Sequence, residues 1–207
     1  MKRIILHWTA GTYKANSTDK QHYHYIIEGD GTVVTGKFPP EANLKTLPGH
    51  YAAHTRNCNT GAIGVSLACM AGAVENPFKA GKYPMTKIQW DRMIDLVADL
   101  ARKYRIPVEP HTILSHAEVQ VTLAIPQAGK WDFTRLAFEP SIKGAREIGN
   151  LLRAEVRAAM APAPAPVAVQ PPSTPKAAPV PPNPSLPPMG PPAPSLWVRF
   201  TALFKKG

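Results

Sequence analysis

Residues 3–8 read RIILHW and are followed by the turn residues Thr9-Ala10-Gly11. The apolar run in the middle of this segment predicts a short buried β-strand. His7 stands near the end of the strand, so we expect its imidazole to emerge at an edge of a sheet. A buried strand must be covered by other elements, and the segments that follow supply them.

Three further segments predict the remaining strands. His22–Glu28, HYHYIIE, is aromatic and β-branched, and Thr32–Thr35, TVVT, follows it across Gly29-Asp30-Gly31. An Asp-Gly step between two such runs is typical of a β-hairpin. Ala62–Cys69, AIGVSLAC, alternates large apolar residues with small or polar ones and predicts a half-buried strand.

Two amphipathic helices are predicted later in the chain. Thr86 and Gln89 form a capping-box pattern, and apolar residues then recur at helical spacing up to Tyr104, before Pro107. A second helix is predicted over Ser141–Met160. These elements predict an α/β domain in which a central mixed sheet is flanked by helices.

The distribution of proline divides the chain into three parts. Of the 24 prolines, 15 lie within residues 161–194, where the missing N–H groups and fixed φ angles exclude helix and sheet. We predict a folded domain over residues 1–160 and an extended, disordered linker over residues 161–194. Residues 195–207, SLWVRFTALFKKG, are predicted to form a basic amphipathic segment.

Composition excludes several classes of protein. Two cysteines are too few for a disulfide-stapled scaffold, and no apolar run reaches the roughly 18 residues of a transmembrane helix. The apolar run at the start is too short for a signal peptide, so we expect a cytoplasmic product. The net charge of +10 favours an anionic partner. Nucleic acid is not expected, because residues 1–160 lack a clustered basic run with interleaved aromatics.

Seven histidines are the candidates for metal or acid–base chemistry. Surface or structural roles are preferred for four of them: His22, His24, His50 and His111. His7 and His116 differ, because each lies at the end of a strand-like segment. With Asp132 from a later loop, two imidazoles and one carboxylate would make a zinc site with an open position. Their separations of 109 and 16 residues match no short metal motif.

Five segments carry a family resemblance, and they occur in the family's order: IILHWTAG, HYHYIIEGDGTV, AAHTRNCNTGAIGVSLA, HTILSHAEV and GKWD. Over roughly residues 1–155 the chain resembles zinc-dependent N-acetylmuramoyl-L-alanine amidases. These enzymes share a fold with peptidoglycan recognition proteins and include phage lysozyme-type endolysins. The resemblance implies hydrolysis of the amide bond between N-acetylmuramic acid and the L-alanine of the stem peptide.

The resemblance also implies roles for particular residues. The zinc ligands, for one ion per chain, would be His7, His116 and Asp132. Tyr23 would be the active-site tyrosine, and Lys130 would be the catalytic lysine that stabilises the oxyanion. His54 would be a groove residue that contacts the substrate.

One position departs from part of the family. Many bacterial members carry a glutamate on the central strand as the general base, whereas this chain has Ser66 there. A hydroxyl cannot replace a carboxylate base at neutral pH, and phage-type members also lack this glutamate. The sequence therefore leaves the identity of the general base open. Glu118 is available, but a structural role is preferred for it.

The C-terminal segment 195–207 has one apolar helical stripe, opposite basic residues: Leu196, Trp197, Phe200, Leu203 and Phe204. Such a pattern is typical of a segment that binds the surface of a membrane and becomes helical there. Anionic membrane lipid is the partner it would suit. An unstructured tail is the alternative.

The sequence therefore predicts a monomeric peptidoglycan amidase, a phage-type endolysin that acts in host-cell lysis. It would wait in the host cytoplasm and then act in the periplasm and cell wall. Two alternatives stay open: a cytoplasmic amidase that recycles muropeptides, and a non-catalytic peptidoglycan-recognition module. The proline-rich basic tail disfavours the first, and the full set of candidate ligands disfavours the second.

Overall fold

The computed structural model describes residues 1–161. The predicted linker beyond Ala161 and the predicted amphipathic segment 195–207 lie outside the described residues. Within residues 1–161, no helix has both the length and the apolar character needed to cross a membrane.

One five-stranded sheet forms the centre of the domain. Its strands are β1 (Arg3–Trp8), β2 (Tyr25–Ile27), β3 (Val33–Thr35), β4 (Ala62–Leu67) and β5 (Ile113–Ser115). They lie in the order β3-β2-β4-β1-β5. β2 and β3 form the predicted antiparallel hairpin, and the remaining pairs are parallel. The carboxyl ends of β4, β1 and β5 therefore meet at the same edge of the sheet.

The helices flank this sheet and confirm the predicted α/β class. They are α1 (Ser17–His22), α2 (Lys87–Tyr104), α3 (His116–Leu123) and α4 (Ala145–Met160), with a 3-10 helix over Pro40–Leu44. The predicted capping box starts α2: the Gln89 N–H donates to the Thr86 hydroxyl, and the Thr86 N–H donates to the Gln89 side chain.

The two faces of the sheet have different surroundings. Leu6 and Trp8 of β1 belong to the main apolar core, which β1 and β4 share with α2 and α4. Ile5 lies on the opposite face, in a smaller apolar cluster with Val119 of α3. Because side chains alternate along a strand, His7 shares the face of Ile5.

The strand predicted over His22–Glu28 is wrong in its first half. Residues 17–22 form α1 instead, because Asn16 and Asp19 make a capping box at the start of this helix. Tyr23 is the C-cap of α1, so it does not alternate with its neighbours along a strand.

Two other features differ from the prediction, the burial of β4 and the start of α4. β4 is buried over its whole length rather than on one face, because the ring of His54 packs against its second face at Gly64. α4 begins at Ala145 rather than Ser141, after Gly144, whose φ of 102° is not helical.

Candidate metal centre and catalytic cavity

Three potential ligand atoms converge at the edge where the parallel strands end. His7 Nδ1 lies 3.0 Å from His116 Nδ1. The Oδ2 atom of Asp132 lies 3.6 Å from His7 Nδ1 and 3.5 Å from His116 Nδ1. All three residues are buried. Within residues 1–161, this is the group of His, Cys, Asp and Glu side chains arranged to hold a metal ion.

Strand register brings the two histidines together. β1 and β5 are parallel neighbours in which Leu6 pairs with Ser115, so the residues that follow, His7 and His116, leave the sheet side by side. Ser115 is also the N-cap of α3, where its side chain and Glu118 form a capping box. One pair of adjacent parallel strands thus brings together in space two histidines that are far apart in sequence.

Aromatic packing holds the segment that carries Asp132. The ring of Trp131 packs edge-on against Trp8, with centroids 4.7 Å apart. Phe133 is fully buried and also contacts Trp8, although its φ of 66° lies in the left-handed region. A non-glycine residue keeps this conformation when its surroundings over-determine it. The two aromatic anchors therefore fix the carboxylate between them.

The charges of His7 and Asp132 suit metal binding. Burial, with smaller contributions from His116 and Lys130, lowers the pKa of His7 to about 4. Burial by itself would raise the pKa of Asp132, but the imidazoles of His116 and His7 outweigh it and hold this pKa below its usual range. Near neutral pH the site therefore presents a neutral His7 and an ionised carboxylate.

The donor set passes a geometric test for zinc. Tetrahedral bonds of about 2.0–2.2 Å place neighbouring ligand atoms about 3.3–3.6 Å apart, and the three observed separations are 3.0, 3.5 and 3.6 Å. Two imidazole nitrogens and one carboxylate oxygen are ligands that zinc accepts, and three protein ligands leave one position for water or substrate.

The three ligand atoms lie beside an open cavity of about 580 Å³. Lys130 lines it with an exposed side chain. Tyr23 also lines it, and its ring centroid lies 5.2 Å from that of His7. Burial and, to a smaller degree, the charge of Asp132 raise the pKa of the Tyr23 phenol, so this hydroxyl stays protonated.

His54 borders the cavity and contacts His7. It is 7% exposed, and its Nδ1 is 3.2 Å from His7 Nε2 and 2.8 Å from the Thr55 hydroxyl. Its ring occupies the space where a side chain at Gly64 would project. The side chain of His54 is therefore more buried among protein groups than we expected for a residue of the substrate groove.

Ser66, at the family's glutamate position, and Glu118, the residue considered for the general base, have different surroundings. Ser66 pairs with His7 in the register of β1 and β4, and its buried hydroxyl lacks a hydrogen-bond partner within the described part of the chain. Glu118 accepts hydrogen bonds from Ser115 and from Arg153. It forms a buried ion pair with Arg153, which supports the structural role preferred for it.

The other histidines lie outside the metal centre. His24 is buried: its Nε2 bonds Asn43, and its Nδ1 accepts from the Gly64 N–H. His22 ends α1, and the rest of the seven are exposed: His50 and His111.

Sequence reasoning missed two residues that line the cavity, Arg56 and Gln127. Arg56 stands in a polar loop segment, and because polar residues are common in loops, it gives no signal of a functional role. Gln127 stands in a segment with no periodic pattern. Their positions depend on how distant segments approach one another, and no local signal in the sequence indicates it.

Comparison with known proteins identifies the family. The family model described as N-acetylmuramoyl-L-alanine amidase (Amidase_2) matches residues 1–133. No curated protein matches the chain in sequence.

Several solved structures are similar to the chain. The N-acetylmuramoyl-L-alanine amidase LysC from Clostridium intestinale is 18% identical, with a TM-score of 0.44, and the match covers 75% of this chain and 85% of that one. The Ph2119 endolysin from a Thermus scotoductus bacteriophage is 20% identical, with a TM-score of 0.39 and coverages of 62% and 79%. The amidase AmiD from E. coli, solved with an anhydro-N-acetylmuramic acid peptide, is 22% identical, with a TM-score of 0.39 and coverages of 56% and 48%.

The family model covers more than half of the 207 residues, and the sheet and helices agree with the predicted fold. The chain therefore belongs to the N-acetylmuramoyl-L-alanine amidase family.

Proposed function

We propose that the cavity cleaves the amide bond between the lactyl group of N-acetylmuramic acid and L-alanine, with a zinc ion held by three residues. The proposed ligands are His7, His116 and Asp132. The observation that supports this assignment is the approach of their three donor atoms to within 3.0–3.6 Å of one another beside an open cavity.

The protein groups around the metal have complementary tasks. A zinc ion held by His7, His116 and Asp132 would polarise the amide carbonyl and would activate water for attack near neutral pH. Attack on the carbonyl builds negative charge on its oxygen, and the ammonium group of Lys130 lies along the cavity to stabilise that charge. The protonated Tyr23 hydroxyl donates a hydrogen bond to the same region.

The charge of the cavity suits an anionic polymer. Its lining residues include two cations, Arg56 and Lys130, and one carboxylate, Asp132, within residues 1–161. If Asp132 binds zinc, the surface left for the substrate is cationic. Stem peptides carry free carboxylates, so this balance supports peptidoglycan as the substrate class.

One experiment tests the metal, the bond and the ligand assignment together. Purified peptidoglycan is digested and the products are analysed by mass spectrometry, with zinc measured in the same enzyme. We expect new free L-alanine amino termini and about one zinc ion per chain. His116→Ala should lose the zinc and at least about 1,000-fold in activity, since several kcal/mol of charge stabilisation depend on the metal.

His111→Ala is the matched control, because His111 is exposed and lies outside the cavity. It should keep both zinc and activity. New reducing sugar ends without new amino termini would instead identify a glycosidase, and full activity in His116→Ala would refute the ligand assignment.

We propose further that the enzyme is a monomeric endolysin in which residues 1–160 are catalytic, residues 161–194 are a linker and residues 195–207 bind anionic lipid. It would be held in the host cytoplasm until the membrane is breached. The basic, aromatic composition of the terminal segment supports its affinity for lipid.

A truncation separates these parts. Deleting residues 162–207 should leave hydrolysis of isolated peptidoglycan within about twofold, because the proposed ligands all lie before residue 133. The same deletion should remove sedimentation of the protein with anionic vesicles. Unchanged binding to those vesicles would eliminate the lipid proposal.

A further inference from the structure

A buried hydrogen bond lies immediately behind one proposed ligand. The Nε2 atom of His116, on the far side of the ring from the metal centre, lies 2.9 Å from Oε1 of Gln127. His116 is 5% exposed and Gln127 is 4% exposed. Water therefore has little access to either group, and the two side chains must satisfy one another.

The surroundings of Gln127 determine which end of its amide faces the histidine. Its Nε2 lies 3.0 Å from the carbonyl oxygen of Arg56 and 3.2 Å from that of Ile125. Both carbonyls are acceptors, so the NH₂ group must stand on that side. The amide oxygen consequently faces His116.

This orientation fixes the proton of the imidazole. An amide oxygen only accepts, so His116 must donate from Nε2 to Gln127. A neutral imidazole carries one ring proton, and with that proton on Nε2 the lone pair is on Nδ1. Nδ1 is the atom that lies 3.0 Å from His7 Nδ1 and 3.5 Å from Asp132 Oδ2.

The glutamine is itself held in place. Its backbone N–H donates to the side chain of Gln120 on α3, at 3.0 Å, and its NH₂ group reaches the loop of Arg56. Gln127 therefore links α3 to the loop of Arg56, which also lines the cavity. A group anchored at three points orients the ring of His116 as well as its proton.

Within residues 1–161, the other proposed histidine ligand has no comparable partner. His7 Nε2 lies 3.2 Å from His54 Nδ1 and 3.3 Å from the Thr55 hydroxyl. A ring nitrogen and a hydroxyl can each donate or accept, so neither determines the tautomer of His7. The fixed tautomer is a property of His116.

We infer that Gln127 is a positioning residue for the metal centre: it holds His116 as the Nε2–H tautomer and presents Nδ1 to the ion. The inference rests on the proposed zinc site. Removal of a hydrogen-bond partner of this kind typically lowers metal affinity by about 10–100-fold.

Zinc affinity of the full-length protein, measured by competition with a chelator, is the first test. Gln127→Leu removes the acceptor and should weaken zinc binding by roughly 10–100-fold. Gln127→Glu keeps an acceptor oxygen toward His116 and, when protonated on the other oxygen, a donor toward Arg56. It should stay closer to the parent affinity than the leucine variant.

Gln89 offers a matched control. It is also buried, and its NH₂ group also bonds two backbone carbonyls, those of Ile27 and Ala68. Its oxygen accepts from Thr86 rather than from a histidine. Gln89→Leu should lower the free energy of unfolding and leave zinc affinity unchanged, which separates a positioning effect from a general loss of packing.

The second test reads the tautomer directly and needs no variant. Nitrogen NMR of the metal-free parent protein at mildly alkaline pH, where imidazoles are neutral, should show His116 protonated at Nε2. Gln127→Leu should show a mixture of tautomers. An Nδ1-protonated His116 in the parent overturns the inference even if the leucine variant does not fold.

The outcomes also distinguish the two proposals. If the parent protein binds no zinc, the proposed metal site is wrong. If the parent binds zinc and Gln127→Leu binds it equally well, the metal site stands and the role of Gln127 is wrong.

Discussion

On one face of β1 and β4, the side chains are apolar and buried with α2 and α4, whereas on the other face the same strands carry His7, Gly64 and Ser66. The first face thus serves stability, whereas the second face combines residues of the site with the smaller apolar cluster at Ile5. The difference teaches that one strand can contribute to the core on one face and carry a histidine of the site on the other, without a dedicated loop for the histidine. Three substitutions test how complete that separation is.

The largest effect is expected on the face of the site. Lys130→Ala should reduce the turnover number by about 100–1,000-fold, because a preorganised group that stabilises the oxyanion is lost. Zinc content and the free energy of unfolding should not change, since Lys130 is exposed and belongs to neither apolar cluster. Peptidoglycan hydrolysis and chelator competition measure the two quantities.

Lys103→Ala is the control, because Lys103 is exposed on α2, on the other side of the sheet. It should leave turnover unchanged. Activity of Lys130→Ala within twofold of the parent would exclude the proposed role.

An effect of similar size in free energy, but of a different kind, is expected on the apolar face. Leu6 is fully buried next to His7 in sequence but on the opposite face. Leu6→Ala should lower the free energy of unfolding by about 2–5 kcal/mol, through lost burial and a residual cavity. Denaturant unfolding should be measured in the presence of a chelator, because bound metal would stabilise the native state.

The zinc affinity of folded Leu6→Ala should match that of the parent. Loss of zinc from a protein that is still folded would mean that the two faces are coupled through β1.

The smallest effect is expected where the two tasks meet. A Cβ added at Gly64 would lie 2.5 Å from Cγ of His54, and His54 contacts His7. Gly64→Ala should therefore displace the ring, lower stability by about 1–3 kcal/mol and weaken zinc binding by a few-fold. Calorimetry and chelator competition give the two values.

His54→Ala combined with Gly64→Ala should recover part of the lost stability, because the added methyl group then has space. Additive losses in the double variant would show that the contact is not responsible.

The sequence predicts elements that have a continuous apolar run or apolar residues that repeat with a clear period. β1, β4 and α2 were located in this way, and α2 also had its capping box at Thr86. α1 escaped prediction because its six residues, STDKQH, bury only Asp19 and thus show no apolar stripe. α3 escaped because it is short and has apolar residues around its whole circumference.

The candidate site was predictable in part, and through family resemblance rather than spacing. His7, His116 and Asp132 were named from motifs, and the structure brings them together. The contacts behind them were not predictable. The approach of His54 to Gly64 and of Gln127 to His116 joins segments many residues apart, and such contacts depend on tertiary packing that periodicity does not encode.

Because His7 and Trp8 are adjacent on β1, a shift in the register of this strand would be unfavourable. If β1 slipped by one residue against β4 and β5, every side chain would change faces. The indole would then project from the face that carries Ile5, and the imidazole would be buried among the apolar side chains that pack with α2. A misregistered molecule would therefore be both unstable and inactive.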